Sequence, residues 1–197
     1  MTSSPFSAPP IELGRVTGGF VRLLPLEHGS CASLAASIAA IEPWSVMNSP
    51  AETLAAFLAR PDGGVSRYVV SVNGEEAGVV SVRHPWLKGP YLELLALLPQ
   101  AQAQGIGSSI ITWFESAALQ HEARNLWVCA SSFNARGLRF YERHGFTRAA
   151  TLPGLVADRY DEILLRKFPL GPRDGSPLSQ RTIAAGAKRP DRCRECP

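Results

Sequence analysis

The stretch that decides the fold runs from Leu94 to Ile111 and reads LLALLPQAQAQGIGSSII. An apolar run ends at Pro99, a short polar turn follows, and after Gly105 apolar residues recur at helical spacing. This order predicts a buried strand, a tight glycine turn and a helix. The first N–H groups of such a helix have no partner within it and carry the positive end of its dipole, so the turn is suited to bind a phosphate group.

Two sequence blocks make this prediction more specific. The first, Gln102-Ala-Gln-Gly-Ile-Gly107, lacks the three glycines of a dinucleotide fingerprint and the Lys-Ser/Thr of a P-loop. The second runs from Asn134 to Phe146 and reads NARGLRFYERHGF. The first block resembles the acetyl-CoA loop of the GCN5-related N-acetyltransferases (the GNAT family), and the second resembles that family's Asn…Phe-Tyr-x-x-x-Gly-Phe segment. The resemblance extends over roughly residues 20–168.

The pattern of the whole chain predicts an α/β (α+β) protein. Alternating or continuous apolar runs predict strands, and apolar residues at helical spacing predict helices. The predicted strands are residues 20–24, 68–72, 77–83, 91–98, 126–130, 147–152 and 160–166, and the predicted helices begin near residues 28, 50, 106 and 134. The resemblance implies a GNAT-type mixed, mostly antiparallel twisted sheet flanked by helices.

Composition divides the chain into three parts. Residues 1–18 are rich in Pro, Ser and Gly and are expected to form a flexible leader. Residues 19–168 are expected to form one acetyltransferase domain, whereas residues 169–197 show no apolar face and are expected to be disordered. The tail ends in Cys193-x-x-Cys196, a spacing found in zinc sites and redox pairs. Because no second Cys or His pair lies nearby, an exposed tail is favoured and no metal is expected.

The bulk composition excludes several classes of protein. A chain of 197 residues, 45% hydrophobic and 19% charged, is typical of one soluble globular domain. The net charge of +3, to which the tail contributes, is too small to indicate a nucleic-acid partner. No apolar run reaches membrane-spanning length and the first residues do not resemble a signal peptide. We therefore expect a cytoplasmic protein that binds neither membranes nor nucleic acid.

The resemblance implies acetyl-CoA-dependent N-acetylation of a primary amine by direct attack in a ternary complex. The acceptor is a small molecule or a peptide amine, and the protein is expected to be a monomer or a homodimer. Cys129 lies in a predicted buried strand and is not expected to act as a nucleophile. The alternative function is a catalytically silent acyl-CoA-binding regulatory module. A nucleic-acid binder is the weakest alternative, because the folded part has no basic stripe.

Cofactor-binding residues follow from the resemblance. Backbone N–H groups of the loop would bind the pyrophosphate of acetyl-CoA, namely those of Gln102, Ala103, Gln104, Gly105, Ile106 and Gly107. Free backbone groups of Leu95 and Leu97 would bind the pantetheine arm, because the family's central strand splays from its neighbour there. The Leu97 N–H would also face the thioester oxygen. Asn134 is either a ligand of the cofactor arm or simply the N-cap of its helix, and the two roles are compatible.

Two residues are candidates for proton transfer. Tyr141 is the general acid that the resemblance implies, giving its phenolic proton to the CoA sulfur; the alternative is a core aromatic beside Phe140. Glu93 is the candidate base, or the anchor of a water that acts as base. A carboxylate within an apolar strand is costly unless it faces a wet cavity or a partner. The alternative is a Glu93 that faces solvent or pairs with an arginine, in which case the amine loses its proton to bulk water.

The acceptor pocket is the least specific part of the prediction. The resemblance places it under the first two helices and the C-terminal hairpin, where the candidates are Trp44, Trp86, Tyr160 and Asp161. Aromatic residues there indicate an apolar or cation–π environment. Asp161 and the neighbouring Glu162 carry negative charge that would attract an amine. The pattern does not indicate which amine is accepted.

Overall fold

One mixed sheet of eight strands organises the part of the protein that the structure describes. Its strands lie in the spatial order β1 (Ile11–Val16), β2 (Gly19–Pro25), β3 (Val65–Val72), β4 (Glu75–Trp86), β5 (Gly89–Leu97), β6 (Leu126–Ser131), β8 (Tyr160–Lys167) and β7 (Thr147–Ala157). The computed structural model describes Phe6 and residues 10–170. All neighbouring strands are antiparallel except β5 and β6, which are parallel, so the predicted α/β class with a mostly antiparallel sheet is confirmed.

In the described part of the chain, four α-helices cover the two faces of this sheet. They are α1 Cys31–Ala39, α2 Ala51–Ala59, α3 Ile106–Gln120 and α4 Ala135–Arg143. Apolar residues of α1 and α2 pack with Val79 and Ala96 on one side, which we call the α1–α2 face. Apolar residues of α3 and α4 pack with Val80 and Val128 on the other side, the α3–α4 face. Because successive strand residues point to opposite faces, the two cores follow from the alternation of side chains along each strand.

The sheet opens between its two parallel strands. β5 pairs with β6 only at Tyr91–Trp127 and Leu92–Val128. On the other edge of β5 the register shifts by one residue, because Val82 pairs with Leu92 whereas Ser81 pairs with Leu94. Glu93 is therefore the extra residue of a β-bulge, a feature that bends a strand away from its neighbour. The opening begins where the bulge lies.

The predicted leader is partly wrong. Within residues 1–18, the segment Ile11–Val16 forms β1 and pairs with β2. Its Ile11, Leu13 and Val16 pack on the core, and Phe6 is fully buried against Trp113 and Phe114. The Pro, Ser and Gly content suggested a loose segment, but the alternating apolar residues gain more from burial than the strand costs in chain entropy.

The C-terminal boundary also lies further along the chain than predicted. Leu170 is buried, and its N–H donates a hydrogen bond to the carbonyl of Arg124. The predicted tail therefore includes at least one residue that packs on the domain. Residues 171–197, with Cys193-x-x-Cys196, lie outside the described residues.

Candidate active site

The opening of the sheet leads into a cavity of ≈ 1070 Å³ that reaches both faces. This volume is at the upper end of that of ordinary ligand sites, so it has room for two substrates. Its lining on the α1–α2 face includes Ile41, Trp44, Met47, Leu54 and Phe57. Its lining on the α3–α4 face includes Gly107, Ser108, Phe140 and Tyr141.

The glycine turn borders this cavity and presents backbone N–H groups that have no carbonyl partner among the described residues. The first hydrogen bond of α3 runs from the Ser109 N–H to the carbonyl of Gly105. Within the described part of the chain, the backbone N–H groups of residues 103–108 donate to no carbonyl. Gly105 has φ +83°, a left-handed conformation that places the chain at the helix start with little strain only for glycine. The turn from residue 103 onward therefore has the chemistry of an anion site. The predicted donor Gln102 differs, because its N–H donates to the carbonyl of Pro99 at 3.2 Å.

The side chain of Gln102 holds the turn in place. Its Nε2 donates to the carbonyl of Leu97 at 2.8 Å, and its Oε1 accepts from the guanidinium of Arg136 at 2.8 Å. The side chain therefore ties the loop both to the end of β5 and to α4. Gln102, Ala103, Gly105 and Gly107 line the cavity, whereas Gln104 and Ile106 do not. The side chain of Ile106 is fully buried in the core, so only its backbone is available for a ligand.

Gly107 lies where α3 and α4 approach each other. A Cβ atom at this position would stand 3.2 Å from the ring of Phe140. The glycine therefore allows the close contact of two helices that both border the cavity.

The backbone of β5 presents free groups to the opening. The N–H of Leu98 donates to the carbonyl of Ala77 on the β4 side at 2.9 Å. Because N–H directions alternate along a strand, the N–H groups of Leu95 and Leu97 point away from β4, toward the opening. Both residues line the cavity. The backbone positions predicted for the pantetheine arm are therefore placed at the site.

Asn134 caps α4 and also lines the cavity. Its Oδ1 accepts a hydrogen bond from the N–H of Gly137 at 2.8 Å. This is the expected geometry of an N-cap asparagine. Asn134 therefore caps the helix, and the NH2 group of its side chain remains beside the cavity.

Tyr141 is both a packed aromatic and a cavity residue. It is 8% exposed and makes edge contacts with Phe140 and Phe146, with ring centroids 5.3 and 5.8 Å away. Burial raises the pKa of Tyr141 well above the ordinary value of a phenol. The hydroxyl is therefore protonated at any physiological pH and is able to donate its proton only when a strong acceptor forms beside it.

Glu93 is held in an ion pair. Its Oε1 accepts from Nη2 of Arg83 at 2.9 Å and from Nε at 3.1 Å, and its Oε2 accepts from the hydroxyl of Ser81 at 2.9 Å. Arg83 also contacts Asp62 at 3.1 Å. The arginine-paired alternative for Glu93 is thus what the structure shows, although the side chain still lines the cavity. Both of its oxygens are already engaged.

Glu162 is a second carboxylate at the opening. It is 5% exposed, lines the cavity, and accepts a hydrogen bond from the hydroxyl of Ser131. Burial raises the pKa of Glu162, against the lowering effect of its hydrogen bonds from Ser131 and Cys129. Burial and the nearby charge of Glu162 raise the pKa of the Cys129 thiol to about 12. Cys129 is therefore a thiol rather than a reactive thiolate at neutral pH.

Comparison with known proteins identifies the family. The model of the acetyltransferase (GNAT) family matches residues 31–146, which is more than half of the chain. The chain belongs to the GNAT family. The match includes both sequence blocks, Glu93 and Tyr141, and it ends before β7 and β8. No sequence among curated proteins matches the chain.

Solved structures share the fold of this GNAT domain. The ribosomal-protein-S18-alanine N-acetyltransferase of Escherichia coli is 19% identical, covers 80% of this chain and 99% of its own, and has a TM-score of 0.60. Mycobacterium smegmatis RimJ in complex with CoA-disulfide is 15% identical, covers 83% and 88%, and has a TM-score of 0.61. An acetyltransferase of Thermus thermophilus is 14% identical, covers 75% and 96%, and has a TM-score of 0.60. At these identities the likeness concerns the fold alone.

Only part of the predicted acceptor set lies at the cavity. Trp44 lines the cavity, but Trp86, Tyr160 and Asp161 do not. Trp86 stacks on Tyr91 with ring centroids 4.6 Å apart, so its apolar surface is already covered. Tyr160 packs on Phe133 at 4.6 Å. Asp161 is exposed, because neighbouring strand residues point to opposite faces and Glu162 points inward.

Among the residues that the structure describes, no group of three or more His, Cys, Asp or Glu side chains is arranged to hold a metal ion. No helix within the described ranges is both long enough and apolar enough to cross a membrane.

Proposed function

We propose that this GNAT domain transfers an acetyl group from acetyl-CoA to a primary amine by direct attack, with both substrates in one cavity. The observation that carries the proposal is the cavity itself. It joins the free N–H groups of residues 103–108 on the α3–α4 face to two carboxylates, Glu93 and Glu162, on the α1–α2 face. The opening beside β5 connects the two ends.

The residues at the α3–α4 end fit acetyl-CoA. The donors of the turn match a pyrophosphate, and the outward N–H groups of Leu95 and Leu97 match the amides of an extended arm. When bound, acetyl-CoA supplies the activated acetyl group. The N–H of Leu97 would donate to the thioester oxygen as negative charge develops there.

Proton transfer divides between the two faces. Tyr141 would give its proton to the departing sulfur, and its raised pKa keeps that proton in place until the thiolate forms. Glu93 would orient the acceptor side of the opening, or hold a water, while remaining paired with Arg83. The Cys129 thiol is not a nucleophile in this proposal, since its pKa is raised to about 12.

A charge placed at the start of α3 tests the cofactor site. Ser108 is exposed in the first turn of this helix, where a carboxylate is favourable for folding but repels a bound phosphate. We expect Ser108→Asp to raise the Kd for acetyl-CoA by about tenfold or more, equivalent to about 1.4 kcal/mol of binding energy. Calorimetric titration measures the Kd. A separate assay measures the release of CoA during incubation with a panel of amines.

The same helix supplies a matched control. Ser116 is also exposed, two turns further along α3, so Ser116→Asp adds the same charge away from the turn and should leave the Kd unchanged. Equal effects of the two substitutions would contradict the predicted anion site. Tight binding of acetyl-CoA without CoA release for any amine would instead support a silent acyl-CoA-binding module.

A further inference from the structure

Building on the proposed function, we infer that Glu162 binds the ammonium group of the acceptor and takes its proton, and that the acceptor is an amine on an apolar body without a carboxylate of its own. The inference rests on three observations about the described residues. They are the lack of a cation beside Glu162, the apolar lining around it, and the lack of a cationic side chain in that half of the cavity.

The first observation distinguishes Glu162 from the other carboxylates of the lining. Those carboxylates are Glu42, Glu93 and Glu162. Glu42 is exposed to solvent, and Glu93 is neutralised by Arg83. Glu162 is 5% exposed, and none of the described basic residues lies within ion-pair distance of it. A buried carboxylate without a cation is costly, and a bound ammonium would remove that cost.

The position of Glu162 places this charge on the acceptor side. It pairs across the sheet with Ser131, and its neighbour Ile163 packs in the core of the α3–α4 face. By alternation, Glu162 and Ser131 therefore point to the α1–α2 face. The contact between the Ser131 hydroxyl and the sulfur of Met47, at 3.6 Å, agrees with this direction. Tyr141 belongs to the opposite core, so the two groups approach the opening from opposite sides.

The second observation is the apolar character of the remaining surface. Around the carboxylates the α1–α2 end is lined by Ile41, Trp44, Met47, Leu54, Phe57 and Leu94, and the β7 residues Leu155 and Val156 also line the cavity. Such a surface binds an alkyl or aryl body and gains little from a polar one. Raised by burial, the pKa of Glu162 also makes its carboxylate a stronger proton acceptor than an exposed glutamate.

The third observation argues against an acidic acceptor. Among the described residues, the basic side chains that line the cavity are Arg136 and Arg143, and both lie on α4. Arg83 is engaged by Glu93 and Asp62. Arg67 stacks over the ring of Phe57 at 5.2 Å and does not line the cavity. A carboxylate next to the amine would therefore lie near Glu162 with no described cation to balance it.

The proton balance of the transfer is simple. Glu162 takes one proton from the ammonium, which frees the nitrogen lone pair. The N–C bond forms as the C–S bond breaks, and the electron pair of the C–S bond goes to sulfur, which takes the proton of Tyr141. The second proton of the nitrogen restores Tyr141, and Glu162 releases its proton to solvent. The net products are the amide, CoA and one proton.

Binding measurements test the role of Glu162 apart from turnover. Glu162→Gln keeps the size of the side chain and one accepting oxygen but removes its charge. We expect the Kd of phenethylamine for the CoA-saturated protein to rise by about 10- to 100-fold, the range for a hydrogen bond to a charged group. Asp161→Asn removes the same charge one residue away, outside the cavity, and should leave this Kd unchanged. Equal acceptor affinity in wild type and Glu162→Gln overturns the inference.

A second experiment compares acceptors that differ in one group. Phenethylamine, phenylalaninamide and phenylalanine share an aryl body, and only the last carries a carboxylate. We expect kcat/KM for each of the two compounds without a carboxylate to exceed that for phenylalanine by about tenfold or more, because one unbalanced charge costs at least that factor. Phenylalaninamide mimics a peptide N-terminus, so its ratio to phenethylamine shows whether the natural amine is a peptide or a small molecule.

The outcomes separate this inference from the proposed function. A wild-type protein that neither binds acetyl-CoA nor releases CoA contradicts the function itself. A wild-type protein that binds acetyl-CoA but prefers phenylalanine, or that acetylates other amines but neither compound without a carboxylate, overturns only the acceptor assignment. Retained binding of acetyl-CoA by Glu162→Gln shows that the variant is folded.

Discussion

At the α3–α4 end of the cavity most of the binding groups belong to the backbone, whereas at the α1–α2 end they belong to side chains. The first end consists of N–H groups of residues 103–108 and of β5, positioned by a glycine turn and a strand edge. The second consists of Glu162, Glu93 and apolar side chains from α1, α2 and the loop between them. A site built from backbone groups tolerates many side chains as long as the turn keeps its shape. Substitutions therefore change the binding groups of the α1–α2 end more readily than those of the α3–α4 end.

The difference explains how one fold is able to serve many acceptors. A change at Trp44 or Phe57 alters the acceptor pocket without touching the donors of the turn. A change at Gly107 brings a side chain against Phe140 and disturbs the cofactor end for every acceptor alike. In the proposed function, acceptor specificity therefore depends on residues from separate elements, and cofactor binding depends on one continuous stretch.

The largest expected effect sharpens this division. Tyr141→Phe keeps the ring and its contacts and removes only the proton, so single-turnover rates should fall by roughly 30- to 300-fold, or about 2 to 3.4 kcal/mol of barrier. Because Tyr141 acts on the sulfur, the factor should be the same for every amine. Rapid-mixing measurements with two acceptors check this, and a single-turnover step avoids masking by product release. An unchanged rate in the folded variant would make Tyr141 a packing residue only.

A smaller effect separates the two carboxylates of the acceptor end. Glu93→Gln leaves Arg83 with Asp62 as its remaining ionic partner among the described residues, so the free energy of unfolding should fall by about 1–2 kcal/mol. The acceptor Kd should change by less than about threefold, within the range of a residue that does not bind the amine. Chemical denaturation and acceptor titration give the two numbers. A loss of acceptor affinity as large as that of Glu162→Gln would remove the distinction between the two residues.

The smallest expected effect is a gain of stability. The pKa of Glu162 is raised in the folded protein, so the unfolded chain binds fewer protons than the native one as pH rises past the ordinary range of a glutamate. Wild-type stability should therefore decrease over that window and stay lower above the folded pKa. Glu162→Gln should raise Tm by a few degrees at pH 8 and by less at pH 5. A lower Tm at pH 8 would mean that the ionised carboxylate stabilises the free protein.

Local rules were enough to predict the backbone-built end from the sequence. The strand ending before Pro99, the turn at Gly105 and the helix after it all lie where the pattern placed them. The Asn73-Gly74 pair, a sequence typical of tight hairpins, joins β3 and β4 with positive φ at both residues. Each of these features depends on residues adjacent in the chain, so composition and spacing carry the information.

The side-chain-built end depended on contacts between distant segments. Glu93 and Glu162 are both acidic residues in apolar strands. Their neighbours in the sequence do not indicate that Arg83 pairs with Glu93, whereas no described cation pairs with Glu162. The inward direction of Glu162 and the outward direction of Asp161 follow from the register of β8 against β6. The bulge at Glu93 and the burial of Phe6 are likewise consequences of tertiary packing, which propensity does not report.

The short pairing of β5 with β6 has a mechanical consequence. Five strands lie on one side of the opening and three on the other, and the described strands are joined across it by two residue pairs alone. A substrate that lies along the free edge of β5 adds hydrogen bonds at this weakest line of the sheet. While it is bound, such a substrate therefore links the two halves of the domain by hydrogen bonds. In the proposed function, each turnover would remove these hydrogen bonds, and the next molecule of acetyl-CoA would form them again.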